Sequence, residues 1–147
     1  MGGHAYWYTV KYQPDVDAAL QELRAREFAA GRYSPVMPFI DFPIGPNSPA
    51  PGAQHATYEK AMEESDADGT RSIIDITHIG DEPDFSTAYP LTDAELEEFF
   101  GTTRPTRQQV AASPDFGEDV ERGHCVYIVL YKDDVPDEIY FFGYSYD

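Results

Sequence analysis

Two histidines and a carboxylate are the residues of this chain whose types and positions best suit chemistry. His55 leaves a proline-rich stretch on Pro51-Gly-Ala-Gln-His55, and His78 ends the run Arg71-Ser-Ile-Ile-Asp75-Ile-Thr-His-Ile79, with Asp81 and Glu82 just beyond. If the proline-rich residues 34–54 fold over residues 71–79, a pocket forms between them. There His55, Arg71, Asp75 and His78 converge as acid, base or ligand. The four histidines, His4, His55, His78 and His124, show no paired spacing, so a zinc site has to be assembled from distant segments. Cys125 follows His124 directly, and neighbours on a strand face opposite ways, which excludes a dyad between them. Once Met1 is removed, Gly2-Gly3-His4 offers the square-planar nitrogen set that Cu(II) and Ni(II) favour. No serine elbow, phosphate-binding glycine loop, nucleotide fingerprint or basic run is present, so phosphoryl transfer, nicotinamide chemistry and nucleic-acid reading lose support.

A second pattern spans residues 64–75. Glu64, Asp66 and Asp68 place oxygens at the first, third and fifth positions, Gly69 stands at the sixth and Asp75 at the twelfth. This spacing resembles an EF-hand loop, in which glycine permits the sharp bend that wraps six to eight oxygens round Ca²⁺. It departs from that pattern at Glu64, where Asp is usual, at Arg71, where a hydrophobe is usual, and at Asp75 in place of the bidentate Glu. A strand, not a helix, is expected to follow. A helix end turning through Gly69 accounts for the same residues without a metal.

The elements that must position these residues are read from periodicity and punctuation. Residues 125–132 and 138–146 are dense in Val, Ile, Tyr and Phe and predict two strands joined through the turn Asp133-Asp-Val-Pro-Asp137. Tyr140, Phe142, Tyr144 and Tyr146 share one side of the last strand. Residues 5–12 predict a first strand with Tyr6, Tyr8, Val10 and Tyr12 on one side, and its tyrosine alternation predicts a place beside the hairpin. Residues 15–30 carry apolar residues at helical spacing and stop at Gly31. Residues 57–66 predict a short helix that Thr57 caps, and residues 71–79 an inner strand with apolar side chains on both faces. Thr92-Asp-Ala-Glu95 is a capping box, with Leu91 able to staple onto Leu96, and fixes the start of a helix that ends at Gly101. Residues 104–122 hold short helical pieces broken at Ser113-Pro114. Between residues 34 and 52 six prolines interleave with Val36, Met37, Phe39, Ile40, Phe42 and Ile44, a segment expected to pack on the domain as a belt or a binding rim.

The expected architecture is therefore α+β over residues 1–147, one domain. It has an antiparallel or mixed sheet of about four or five strands, helices mainly on one face and a C-terminal β-hairpin. A chain of 147 residues with 41% hydrophobic and 14% aromatic residues can bury a core without staples. One cysteine excludes an internal disulfide, and no apolar run reaches the length of a membrane span, so a cytoplasmic location is expected. With 27 acidic against 10 basic residues the net charge is −17, which repels nucleic acid and anionic membranes and draws in a basic protein partner.

Three segments, Leu23-Arg-Ala-Arg-Glu-Phe28 with Gly31-Arg-Tyr, Ser48-Pro-Ala-Pro-Gly52 and Asp68-Gly-Thr-Arg-Ser-Ile-Ile-Asp75, resemble uncharacterised bacterial single-domain proteins, a likeness that implies no activity. In composition alone the chain is similar to immunity proteins that neutralise toxins. The leading expectation is a non-catalytic binding domain, toxin-neutralising or regulatory, with Tyr140, Tyr144, Tyr146, Phe39 and Phe42 as partner contacts. A small enzyme or ligand-binding domain using His55, Arg71, Asp75 and His78 is the rival. Calcium binding at Glu64, Asp66, Asp68 and Asp75 is the third reading.

Overall fold

The computed structural model describes residues 3–45 and 47–146, with the side chain of Phe39 left out. The chain enters on β1, Ala5–Lys11, in which Tyr6 and Tyr8 are buried and Trp7 is 44% exposed, as the period of two requires. After Pro14 the Asp15 carboxylate accepts from the Ala18 amide at 3.1 Å and opens α1, Val16–Ala30, which lays Ala19, Leu20 and Leu23 against the sheet. Gly31 ends it at φ 73°, and a Cβ there would stand 2.2 Å from the Gly52 carbonyl oxygen. Only glycine fits this position, and its absent side chain lets the proline-rich segment cross the end of α1. That segment buries Tyr33, Met37 and Ile44 and leaves Ile40 exposed.

α2, Tyr58–Ser65, is capped by the Thr57 hydroxyl, which accepts from the Lys60 amide at 3.2 Å. Next come β2, His78–Ile79, β3, Thr87–Pro90, and α3, Asp93–Phe100, which opens on the expected capping box of Thr92 and Glu95. The short α4, Arg107–Ala111, has a second capping box, Thr106 with Gln109, and a 3-10 turn at Pro114–Asp119 follows. The chain closes with β4, Cys125–Lys132, and β5, Val135–Tyr144. The strands form one sheet in the order β1-β5-β4-β3-β2, antiparallel across β1, β5 and β4 and parallel across β4, β3 and β2. The class is α+β and the sheet mixed, and β1 does lie beside the hairpin.

Three expectations change. Residues 71–79 do not make an inner strand: Ile73–Asp75 is a 3-10 turn and only His78–Ile79 joins the sheet, at its edge. Side chains take over the backbone groups that a ladder needs. Thr70 donates its amide and hydroxyl to the Asp75 carboxylate, and the Ser72 hydroxyl accepts from the Ile74 amide at 3.3 Å. The hairpin turn is two residues long rather than five, because Asp133 and Asp134 both adopt positive φ, which matches the twist of the strands they join. Pro136 then lies within β5, opposite Tyr131 and next to the register shift at Leu130 and Tyr131, where a strand tolerates a missing amide proton.

Finally, the helices expected mainly on one face divide between two. α1 covers the face carrying Tyr6, Tyr8, Ile139 and Phe141. α3, α4 and the turn at Phe116 cover the face carrying Val126, Ile128 and Leu130. Apolar side chains on both sides of β4 made both coverings necessary.

Candidate functional site

The residues singled out by type do not gather into one site. Asp75 is 1% exposed, and its two oxygens accept from the Thr70 amide at 2.9 and 3.1 Å and from the Thr70 hydroxyl at 2.8 Å. Burial raises its carboxyl to about 6, while the Thr70 bonds and the nearby Arg24 guanidinium pull the other way. Gly69, expected to bend a calcium loop, instead makes room for this carboxylate: a Cβ there would lie 2.6 Å from Asp75 Oδ2. Glu64 pairs with His55 Nε2, Asp68 stands 3.8 Å from Arg71 Nη2, and Asp66 faces solvent. Among the described residues no three His, Cys, Asp or Glu side chains come together to hold a metal ion. The amino-terminal copper reading rests on Met1 and Gly2, which lie outside the described residues.

His55 and His78 serve different places. His55 Nδ1 meets the hydroxyl of the buried Tyr33 at 2.8 Å, which also accepts from the Gln54 amide at 3.4 Å, so the imidazole pins the exit of the proline-rich segment to α2. His78 bonds Thr77 Oγ1 at 2.9 Å and Thr87 Oγ1 at 3.0 Å and borders a shallow depression with Asp81, Glu82 and Asp84. Arg71, at φ 53°, reaches Ser34 Oγ and His4 Nδ1, each at 3.3 Å, and so ties the start of the proline-rich segment to the N-terminal lead. Cys125 is buried, which pushes its thiol well above the usual range.

The tyrosine side of β5 is largely roofed. The Phe116 ring lies 5.4 Å from Phe142 and 6.3 Å from Tyr140, whose hydroxyl burial pushes up to about 12. Phe142 and Tyr144 meet edge to face at 5.4 Å, whereas Tyr146, expected on the same strand side, lies beyond the end of β5 at Tyr144 and stacks on Phe85 at 4.7 Å with its hydroxyl 3.0 Å from Ser86 Oγ. Phe42 is half-buried, and the side chain of Phe39 lies outside the described residues.

What remains open is the edge of β1. The Tyr12 amide donates to the Asp137 carbonyl at 3.0 Å and the Ser145 amide to the His4 carbonyl at 2.9 Å, so the even-numbered residues of this strand turn their main-chain groups towards β5. By alternation, the amides and carbonyls of Trp7, Thr9 and Lys11 point the other way, and among the described residues no strand lies there. A cleft of about 510 Å³ wraps this edge, bordered by Trp7, Thr9, Arg26, Arg32, Ile44 and Arg107. Beyond Thr9 and Arg26 it continues as a second hollow of about 570 Å³ between Lys11 and Glu22.

Charge in this groove opposes that of the whole chain. Lys11, Arg26, Arg32 and Arg107 line it against the carboxylates of Glu22 and Glu27. Glu27 is 1% exposed, and a single oxygen, Oε2, accepts from Arg26 Nε at 3.1 Å and from Arg32 Nη1 at 3.4 Å. The Arg107 guanidinium donates twice to the Glu138 carboxylate, from Nε at 3.0 Å and from Nη2 at 2.7 Å. Sequence reasoning missed this patch because its four cations are scattered over nearly a hundred positions. The signal available was Trp7, a large aromatic on the polar side of the first strand. Comparison with family models, with curated proteins and with solved structures finds no match.

Proposed function

We propose that the chain is a non-catalytic protein-binding domain that takes an extended segment of its partner onto the open edge of β1. The observation that carries this reading is the row of outward main-chain groups at Trp7, Thr9 and Lys11, beside a groove long enough to receive a strand. Edge addition supplies affinity through main-chain hydrogen bonds, and Trp7 offers the large half-exposed ring that dominates many interfaces. The separate engagements of His55, of His78 and of the Asp75 carboxylate favour this reading over a catalytic one. A toxin-neutralising or regulatory role is its biological form, and the net charge of −17 supports a partner that is basic overall.

The test is Thr9→Pro. Its amide points away from β5, so proline removes an outward donor and obstructs the edge while leaving the ladder intact. Linear peptides selected from a phage-displayed library should bind the parent protein, change the fluorescence of Trp7, the sole tryptophan, and lose binding to Thr9→Pro. Trp7→Ala, which touches no ladder bond, serves as the second variant. Selected peptides that bind Thr9→Pro and Trp7→Ala as well as the parent, or a library that yields no binder, overturn the reading.

A further inference from the structure

Resting on that reading, we infer that the docked segment is acidic on the side it turns to α1: an extended peptide with carboxylates at alternate residues and apolar side chains between them. An added strand must point its side chains alternately to the two faces of the sheet. On one face they meet Arg26 and Arg32, and on the other Trp7 and Thr9. The two guanidiniums hold more donors than the groove satisfies. Both lean on one oxygen of Glu27, the buried Arg32 Nε finds no hydrogen-bond partner among the described residues, and the Arg26 side chain is 53% exposed. Each guanidinium carries five N–H donors in a planar fork that fits a carboxylate. Alternate residues of a strand stand roughly 6.6 Å apart, so successive carboxylates on one face can address the two arginines in turn. Beside Trp7 and Thr9 the segment needs no charge, because Arg107 is already paired twice with Glu138 and Lys11, on the same side, stands at the far end of β1.

A second copy of this chain is the poorer occupant. Pairing β1 with itself joins two bodies of charge −17. The same negative charge does not forbid an acidic peptide. Over distance it is screened within about 8 Å at physiological salt, whereas the groove cations act at contact.

The experiment uses the full chain and capped peptides alternating Glu with Val, with Gln-Val and Lys-Val versions as controls, titrated against Trp7 fluorescence and the Trp7, Thr9 and Lys11 amide signals. One charge-assisted carboxylate bond is expected to make the Glu peptide bind about tenfold tighter than the Gln peptide. That advantage should largely vanish in Arg26→Gln, whose melting temperature is checked against the parent, and should fall as salt rises. If the Gln peptide binds as tightly, or the Lys peptide more tightly, the carboxylate inference fails while edge docking stands. If none of the peptides shifts these signals, the inference fails for want of an occupant; library binders lost in Thr9→Pro would still leave edge docking in place. A dimer of the free protein that Thr9→Pro dissolves makes the second copy the occupant and overturns the proposal.

Discussion

The sheet has two edges, and they are built in opposite ways. β1 runs seven residues, turns outward main-chain groups that no strand among the described residues pairs, and borders a groove of cations and a half-exposed tryptophan. β2 is two residues long, and its surroundings are closed: the Gln21 side chain of α1 donates to the Thr77 carbonyl at 3.1 Å, and the acidic turn with Asp81, Glu82 and Asp84 follows directly. Short, covered and charged edges are the usual protections against unwanted strand addition. This chain applies them at β2 and withholds most of them at β1. The proposed docking at β1 rests on this difference.

The closed edge depends on the Asp75 clasp, so the largest expected effect comes from breaking it. Asp75→Ala leaves the Thr70 amide buried without an acceptor and the Thr70 hydroxyl with only Ser72 Oγ as a partner, next to a new void. A loss of about 3 kcal/mol in chemical denaturation is expected. Hydrogen exchange should speed up at Thr70 and Ile74 before it changes at β1. If exchange at β1 rises first, the two edges are not independent and the comparison fails.

A second effect, of similar size at most, follows from the protonation of the same group. Burial raises the Asp75 carboxyl to about 6, well above its ordinary value, so the folded state holds the proton more tightly than the unfolded one. Stability from this group therefore grows as pH falls through about 6, is complete below about 4, and is absent above 7. The shift corresponds to about 3 kcal/mol. In Asp75→Asn the amide oxygen still accepts from Thr70 but cannot titrate, and the stability difference from the parent should lose this slope. Equal slopes in both proteins would place the titration elsewhere.

How much of this was legible beforehand depended on the range of the interactions. The α3 capping box and the terminal hairpin were readable because the groups that define them lie within a few residues of one another. Thr106 and Gln109 formed an equally readable box that went unread. Residues 71–79 had the apolar density of a strand, yet Thr70, Ser72 and Asp75 were also the polar side chains best able to capture a backbone, and locally they prevailed. The parity of β1 was visible, but its status as an edge was not. That status follows from which strand lies beyond β5, a contact between the two ends of the chain. The groove was invisible for the same reason: Lys11, Arg26, Arg32 and Arg107 become neighbours only after α1 and α4 have packed on opposite faces.

The smallest effect on stability should give the sharpest contrast between the edges. Lys11 is exposed at the end of β1 with its main chain turned outward, the position where a lysine most often guards an open strand. Lys11→Val removes that charge and adds a strand-favouring side chain, so folding stability should change by only about 0.5 kcal/mol. Association should change far more. Sedimentation at rising concentration should show Lys11→Val self-associating through β1 while the parent stays monomeric, and Thr9→Pro in the same background should restore the monomer. The matching change at the other edge, His78→Val, should leave the protein monomeric, because two paired residues under α1 offer too little main chain to template a strand. If His78→Val associates as readily as Lys11→Val, exposed β-branched residues alone drive the effect, and the open edge of β1 loses its special standing.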